Sequence, residues 1–105
     1  MLYFAHYGEE RDLNATPEEL EICELIAKML PSDEGLRIVR KSDSYVTLLC
    51  GEWDLARVKY NERAKWVNLS VVDKGSVKRR IASVDQVEEF REDVLRSYEH
   101  ILKYT

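Results

Sequence analysis

The stretch YVTLLCGEWDLARVKY, residues 45–60, has the pattern of two β-strands joined by a tight turn. Within each half, apolar residues recur at alternate positions, as they do in strands that pack one face against a core. Gly51 and Glu52 separate the halves, and a glycine in the first position of a two-residue turn supplies the positive φ that such hairpins need. The pattern predicts antiparallel strands over Tyr45–Cys50 and Trp53–Tyr60.

Further strands flank this hairpin on both sides. Polar or glycine-containing runs at 42–44, 61–63 and 73–76 indicate turns. Because short turns join neighbouring strands antiparallel, the whole region predicts a meander. The three additional strands are expected over residues 36–41, 64–72 and 77–82.

The first helix begins at a capping signal. Thr16 is a favoured N-cap residue, Pro17 suits the first helical position, and Glu19 completes a capping box. Apolar residues then recur at the spacing of one helix face, and Pro31 cannot continue the helix. We predict a helix over residues 17–30.

The second predicted helix is long and closes the chain. Ser83 and Gln86 repeat the capping-box pattern, and the helix extends to about residue 103. An α+β fold follows, in the order α-β-β-β-β-β-α, with a four- to five-stranded antiparallel meander and both helices on one of its faces. The apolar stripe of the second helix consists of Val87, Phe90, Val94, Leu95, Tyr98, Ile101 and Leu102.

The composition is that of one ordinary globular domain spanning residues 1–105, in which residues 1–15 form an aromatic N-terminal arm or a short strand. The net charge is −4, which disfavours non-specific nucleic-acid binding. Since no secretory signal and no apolar run of membrane-spanning length occurs, we expect a cytoplasmic protein without membrane contact. Cys23 and Cys50 stand among apolar residues, so we expect both to be buried and reduced.

Alternation along the strands assigns their side chains to two faces. One face carries the apolar set that meets the helices, and a register error of one residue would reverse every assignment. The residues expected to be mostly buried are Val58, Val67, Leu69, Phe90, Val94 and Tyr98.

The opposite face combines aromatic, cationic and polar side chains. Arginine can hold phosphate or carboxylate by two hydrogen bonds and tryptophan offers a stacking plane, so this composition suits an anionic or planar ligand. A solvated sheet face, with Trp66 beneath the stems of Arg57 and Lys59, is the alternative interpretation. The candidate ligand-binding residues are Tyr45, Arg57, Lys59, Lys65, Trp66 and Asn68.

The strongest charge run is Lys78-Arg79-Arg80. Alternation places Lys78 and Arg80 on one face and Arg79 on the other, and charges of this kind also protect edge strands from pairing with other chains. We expect a small binding or interaction module of unknown ligand. A nucleic-acid-associated accessory protein that uses the basic and aromatic face is the alternative, which the overall acidity does not favour.

Signals for catalysis and for cofactors are absent from the sequence. The two histidines lie at opposite ends of the chain, and no glycine-rich phosphate loop or nucleophile motif occurs. We therefore expect no catalytic residue, no metal site and no cofactor. The second alternative is a hydrolase built from scattered residues, in which Asp54 and Glu62 would act with Lys59 or Lys65.

The stretch KYNERAKWVNL, residues 59–69, followed by the cap at 83–86 and a closing Tyr98-Glu99, resembles an uncharacterised family of small bacterial α+β domains. In that family a hairpin ending in Arg-Ala-Lys-Trp precedes a C-terminal helix, and the resemblance covers about residues 17–103. It implies an accessory or binding module, sometimes found beside nucleic-acid-acting or defence proteins. It supplies no catalytic residues and no substrate.

We also expect a protein partner or self-association, with a two-fold dimer as the simplest assembly. Tyr45, Leu49, Leu55 and Trp66 are predicted to share the face that the helices leave uncovered, and exposed apolar patches mark interaction sites. The N-terminal segment, residues 2–4, either pairs with an edge strand of a neighbour or folds back over this face.

Overall fold

The computed structural model describes residues 3–4, 15–32, 35–42, 44–71 and 75–103, which form a sheet of six strands with helices on one side. The strands follow one another in the sheet in chain order, and all pairs from β2 to β6 are antiparallel. The predicted α+β class and antiparallel meander are thereby confirmed. The strands are β1 (Tyr3–Phe4), β2 (Leu36–Ser42), β3 (Tyr45–Cys50), β4 (Trp53–Tyr60), β5 (Lys65–Val71) and β6 (Gly75–Arg80).

The N-terminal segment contributes the sixth strand. β1 pairs with β2 in parallel, with Tyr3 opposite Arg37 and Phe4 opposite Ile38. An arm and a short strand are the two alternatives for residues 1–15, and the structure shows a short strand of two residues. The remainder of that segment, up to residue 14, lies outside the described residues.

The first helix, α1 (Pro17–Met29), is tied to the end of β4 through its cap. The predicted capping box is confirmed, because Thr16 Oγ1 accepts a hydrogen bond from the Glu19 amide and Glu19 Oε1 accepts one from the Thr16 amide. The second carboxylate oxygen of Glu19 accepts a hydrogen bond from the Tyr60 amide at 3.0 Å, and the Thr16 hydroxyl donates to the Tyr60 carbonyl. A buried carboxylate thus joins helix and sheet.

The second helical region has two parts, a 3₁₀ helix over Val84–Phe90 and then α2 (Arg91–Lys103). Val84, Val87 and Phe90 recur every three residues, the spacing that a 3₁₀ helix aligns on one face, and this face packs on the core. The predicted capping box at its start is wrong, since Ser83 makes no side-chain cap bond. Gln86 Oε1 instead accepts a hydrogen bond from the Ala82 amide at 2.7 Å.

One core lies between the helices and the sheet, as the register predicts. Val58, Val67, Leu69 and Val94 have no exposed surface, Tyr98 is 8% exposed, and Phe90 packs against the same core while partly exposed. Both helices contribute residues to this core, so the prediction that they share one face is confirmed. Neither helix of the described part of the chain is long and apolar enough to cross a membrane.

β4 carries a bulge opposite β3. Leu48 pairs with Ala56 whereas Leu49 pairs with Asp54, so Leu55 has no partner on β3. An extra residue of this kind interrupts the alternation of side chains. Leu55 therefore lies in the core with 0% of its surface exposed, and its predicted place on the opposite face is wrong.

The sheet face that turns away from the helices is exposed over only part of its width. Val39, Thr47 and Leu49 lie on this side of β2 and β3, yet each is at most 1% exposed, and none belongs to the core beneath the helices. Arg57 on β4 and, on β6, Lys78 and Arg80 are exposed. The face is therefore not exposed on the buried parts of β2 and β3, and the exposure predicted for Leu49 is wrong.

Both cysteines are buried and unpaired, as predicted. Burial raises the pKa of Cys23 to about 12, with smaller contributions from the carboxylates of Glu19 and Glu24, and burial also raises the pKa of Cys50. A protonated, inaccessible thiol is a poor nucleophile. We expect a thiol reagent near pH 8 to label neither cysteine rapidly in the folded protein and to label both in denaturant. Rapid labelling of either in the folded state would contradict their burial.

The raised pKa of Cys23 also predicts how stability changes with pH. An unfolded chain releases the thiol proton near pH 8.5, whereas the folded chain keeps it up to about 12. Above the unfolded value the folded state binds more protons, so raising the pH favours unfolding, by up to about 1.4 kcal/mol per pH unit from this group. Urea unfolding between about pH 8 and 10.5 should show a shallower loss of stability for Cys23→Ala than for the natural chain. Parallel losses would contradict the prediction.

Candidate functional site

The exposed part of the sheet, on β4, β5 and β6, brings together cationic, aromatic and amide side chains. In the strand register, Trp66 on β5 lies directly between Lys59 and Arg80, and Asn68 lies directly between Arg57 and Lys78. Two rows of side chains therefore cross the three strands. We call this set the open face, which comprises Arg57, Lys59, Trp66, Asn68, Lys78 and Arg80.

Cationic residues of β4 and β6 form the two sides of the open face, and β5 forms its floor. Neighbouring strands lie about 4.8 Å apart, so the Cα atoms of the cationic residues form two lines separated by about 10 Å. The residues of one line are two positions apart on their strand, a spacing of about 7 Å. Between the lines, β5 presents the indole ring of Trp66 and the amide of Asn68 as the floor.

Aromatic contacts organise the floor. The rings of Tyr45 and Trp66 have centroids 6.0 Å apart and are tilted by 57°, so these residues of β3 and β5 meet across β4. The Lys78 ammonium lies 4.5 Å from the centre of the Trp66 ring, and the Arg57 guanidinium lies 5.4 Å from the centre of the Tyr45 ring. The cations are therefore held beside the π-faces of the two rings, which attract them.

The charges of the open face are only partly balanced. Arg57 forms an ion pair with Asp54, with Nη2 and Oδ2 3.1 Å apart. Lys59, Lys78 and Arg80 form no ion pair with any residue that the structure describes. Because the side chains of Lys78 and Arg80 are exposed, their positive charge is available to a ligand.

Strands β4 to β6 and the helices carry charge of opposite sign. Strands β4, β5 and β6 contain six basic residues and one acidic residue. The helical segments contain ten acidic residues and four basic ones. Although the net charge of the chain is −4, these strands are therefore basic and the helices are acidic.

An open groove of about 350 Å³ lies at the β5–β6 side of the open face. The turn before β5 holds one of its walls in place, because Asn61 Oδ1 accepts hydrogen bonds from the amides of Arg63 and Ala64, each at 2.8 Å. Its volume is at the lower end of the range for ligand sites, about 300–1,000 Å³. The lining residues, four cations and no acid among them, are Arg63, Ala64, Lys65, Trp66, Lys78 and Arg80.

The floor also contains an unsatisfied acceptor. Asn68 Oδ1 is shielded from solvent and has no hydrogen-bond partner among the described residues, although its neighbours in the register, Arg57 and Lys78, are both donors. A buried oxygen without a partner costs about 1–3 kcal/mol. A ligand that displaces the neighbouring side chains and donates a hydrogen bond there would remove this cost.

Five of the six candidate residues lie on one side of the sheet: Tyr45, Arg57, Lys59, Trp66 and Asn68. Lys65 is the exception, since it pairs with Tyr60 and its ammonium lies 5.0 Å from the Tyr60 ring, on the side of the helices. It meets the site only where it borders the groove.

Lys78 and Arg80 belong to the site although the candidate set omits them. Their alternation was visible in the sequence, and it is confirmed, because Arg79 turns to the helices, where it pairs with Asp93 at 3.2 Å. The neighbours of Lys78 and Arg80, however, depend on the pairing of β5 with β6. β6 also stands at the edge of the sheet, the position that the charge run indicates.

The residues proposed for hydrolysis do not converge. Asp54 is near the start of β4 and Glu62 follows its end, so they are separated by most of the strand, about 20 Å. Asp54 is in addition paired with Arg57. Within the described ranges, no group of three or more His, Cys, Asp or Glu residues could hold a metal ion.

The apolar patch on which the expected dimer depends is not exposed. Leu55 and Leu49 are 0% and 1% exposed, while Tyr45 and Trp66 are half-buried and in contact. A two-fold dimer through the open face would also bring its cations against their own copies, which is unfavourable. Self-association is still a prediction, but this surface no longer supports it.

Comparisons of the chain with protein-family models, with curated proteins and with solved structures found no match. The resemblance to small bacterial domains therefore stays an expectation, and the function is proposed from the open face alone.

Proposed function

We propose that this protein is a non-catalytic binding module whose open face binds an anionic polymer. The observation that carries the proposal is that Lys59, Lys78 and Arg80 surround Trp66. No carboxylate in the part of the chain that the structure describes forms an ion pair with them. Like charges on one surface repel each other and reduce the stability of the folded chain. A polymer with several negative charges relieves this repulsion at more than one cation at once.

The net negative charge does not oppose such binding strongly. The acidic residues are concentrated in the helices, behind the sheet, at a distance of about 10 Å from the open face. At physiological ionic strength the Debye length is about 8 Å, so exposed charges on the two sides act on a ligand almost independently. A ligand at the open face therefore experiences mainly the basic side chains. A cytoplasmic place of action, in keeping with two unpaired thiols, is part of this proposal.

A charge-reversal pair tests the proposal with inorganic polyphosphate as the probe. Arg80→Glu places a negative charge on the open face, and Arg96→Glu makes the same change at an exposed position of α2. We expect Arg80→Glu to weaken polyphosphate binding by about tenfold or more at physiological ionic strength, and Arg96→Glu to change it by less than about threefold. Binding should also weaken steadily as salt rises.

Calorimetry or anisotropy competition at several salt concentrations provides the measurement. Absence of binding to the natural chain, or equal weakening by the two variants, would contradict the proposal. Both positions are exposed and lack ion pairs among the described residues, so the two variants should fold alike.

A further inference from the structure

We infer that the anionic polymer is a single-stranded nucleic acid, whose bases stack on Trp66 while its phosphates contact the cations of β4 and β6. This inference rests on the proposed function and adds the chemistry of the floor to the charge of the sides. A ligand recognised by charge alone would have no use for the ring and the amide that β5 places between the two cationic lines.

The floor matches the two chemical features of a nucleobase. Trp66 supplies an aromatic plane beside the 350 Å³ groove, and every base has a π-face that can stack on it. Asn68 Oδ1 supplies an acceptor without a partner among the described residues, which suits an N–H donor of a base, such as N3–H of thymine. The two residues are two positions apart on β5, about 7 Å, so one nucleotide can reach both.

The sides match the backbone of the polymer. Lys78 now lies over the Trp66 ring at 4.5 Å, and Arg80 and Arg63 line the same groove. When a base stacks on the ring, the Lys78 ammonium is displaced towards the phosphates. Stacking of a base is stronger than an exposed cation–π contact, and the displaced ammonium gains an ion pair, so the exchange is favourable.

A single strand fits this surface better than a duplex does. In a duplex the bases stack on one another and present only their edges in the grooves, so a flat sheet cannot reach their planes. In a single strand the planes are free. An acidic peptide would satisfy the cations but would leave the ring and the amide of the floor unused.

The experiment uses the Trp53→Phe protein, in which Trp66 is the one remaining tryptophan. Its fluorescence is followed during titration with four probes: an oligothymidylate of about ten nucleotides, an abasic oligomer of the same length, the corresponding duplex, and polyglutamate. We expect oligothymidylate to quench Trp66 and to bind about 5- to 100-fold more tightly than the abasic oligomer, because base stacking is added to the phosphate contacts. The abasic oligomer should bind without quenching.

A variant pair separates stacking from charge. Trp66→Leu should weaken oligothymidylate binding by about tenfold and leave abasic-oligomer and polyphosphate binding within about twofold. Arg80→Glu should weaken all three. The quenching experiment keeps Trp66 intact, so it decides the inference even if Trp66→Leu folds poorly.

Each result has a distinct meaning. Equal affinity for oligothymidylate and the abasic oligomer would overturn the inference and leave the proposed function standing. Tighter binding of polyglutamate would overturn it in favour of an acidic peptide, and equal binding of the duplex would overturn the preference for single strands. Absence of binding to every anion would overturn both the inference and the proposed function.

Discussion

Replacement of Glu19 by alanine is expected to lower the free energy of unfolding by about 2–4 kcal/mol. Glu19 is 5% exposed, and its carboxylate accepts hydrogen bonds from the amides of Thr16 and Tyr60. Its removal leaves two backbone donors without partners at the junction of α1 and β4, and each such group costs about 1–3 kcal/mol when it is shielded from water. The total free energy of unfolding of a domain is only about 5–15 kcal/mol.

Glu21→Ala is the matched control, because Glu21 is exposed on the same helix. We expect it to change the stability by no more than about 0.5 kcal/mol. Glu19→Gln should fall between the two, since its amide keeps one acceptor oxygen. Urea unfolding followed by circular dichroism measures all three. Equal losses for Glu19→Ala and Glu21→Ala would show that the carboxylate does not join helix and sheet.

Leu55→Ala is the second change with a large expected effect, a loss of about 2–5 kcal/mol. Leu55 is the extra residue of the β4 bulge, and its side chain has 0% of its surface exposed in the core beneath the helices. Truncation removes buried apolar contacts and leaves a cavity that the surrounding residues fill only in part.

Leu102→Ala provides the comparison, since it makes the same chemical change at a side chain that is 52% exposed. We expect its effect to remain below about 1 kcal/mol. The pair also distinguishes two registers of β4. If Leu55→Ala costs as little as Leu102→Ala, the bulge is absent and Leu55 lies on the open face, as strict alternation predicts.

The antiparallel order of β2 to β6 could be predicted because each strand is bounded by a local turn signal. Gly51 is the clearest, with a φ of +63° at the first position of the β3–β4 turn. The α1 cap could likewise be predicted, since Thr16, Pro17 and Glu19 lie within one turn and their bonds are local. The bond from Tyr60 to Glu19, 41 positions apart, has no local signal.

The bulge at Leu55 and the 3₁₀ helix lacked such signals. Alternation over β4 looks the same in sequence with or without an extra residue, because a bulge exists only in relation to the facing strand. The apolar spacing of Val84, Val87 and Phe90 is compatible with both helix types, and packing against the core selects the tighter one.

Some residues of the candidate site could likewise be predicted from the sequence, and others could not. Arg57, Lys59, Trp66 and Asn68 could be assigned to one face from alternation within single strands, a property of consecutive residues. The opposing line of Lys78 and Arg80 depends on the pairing of β5 with β6, which sets each cation beside Asn68 or Trp66. Burial of Thr47 and Leu49 on the same side is equally non-local. Periodicity indicates which side of a strand a residue occupies. Which residues it contacts, and whether it is buried, depend on chain segments that are distant in sequence.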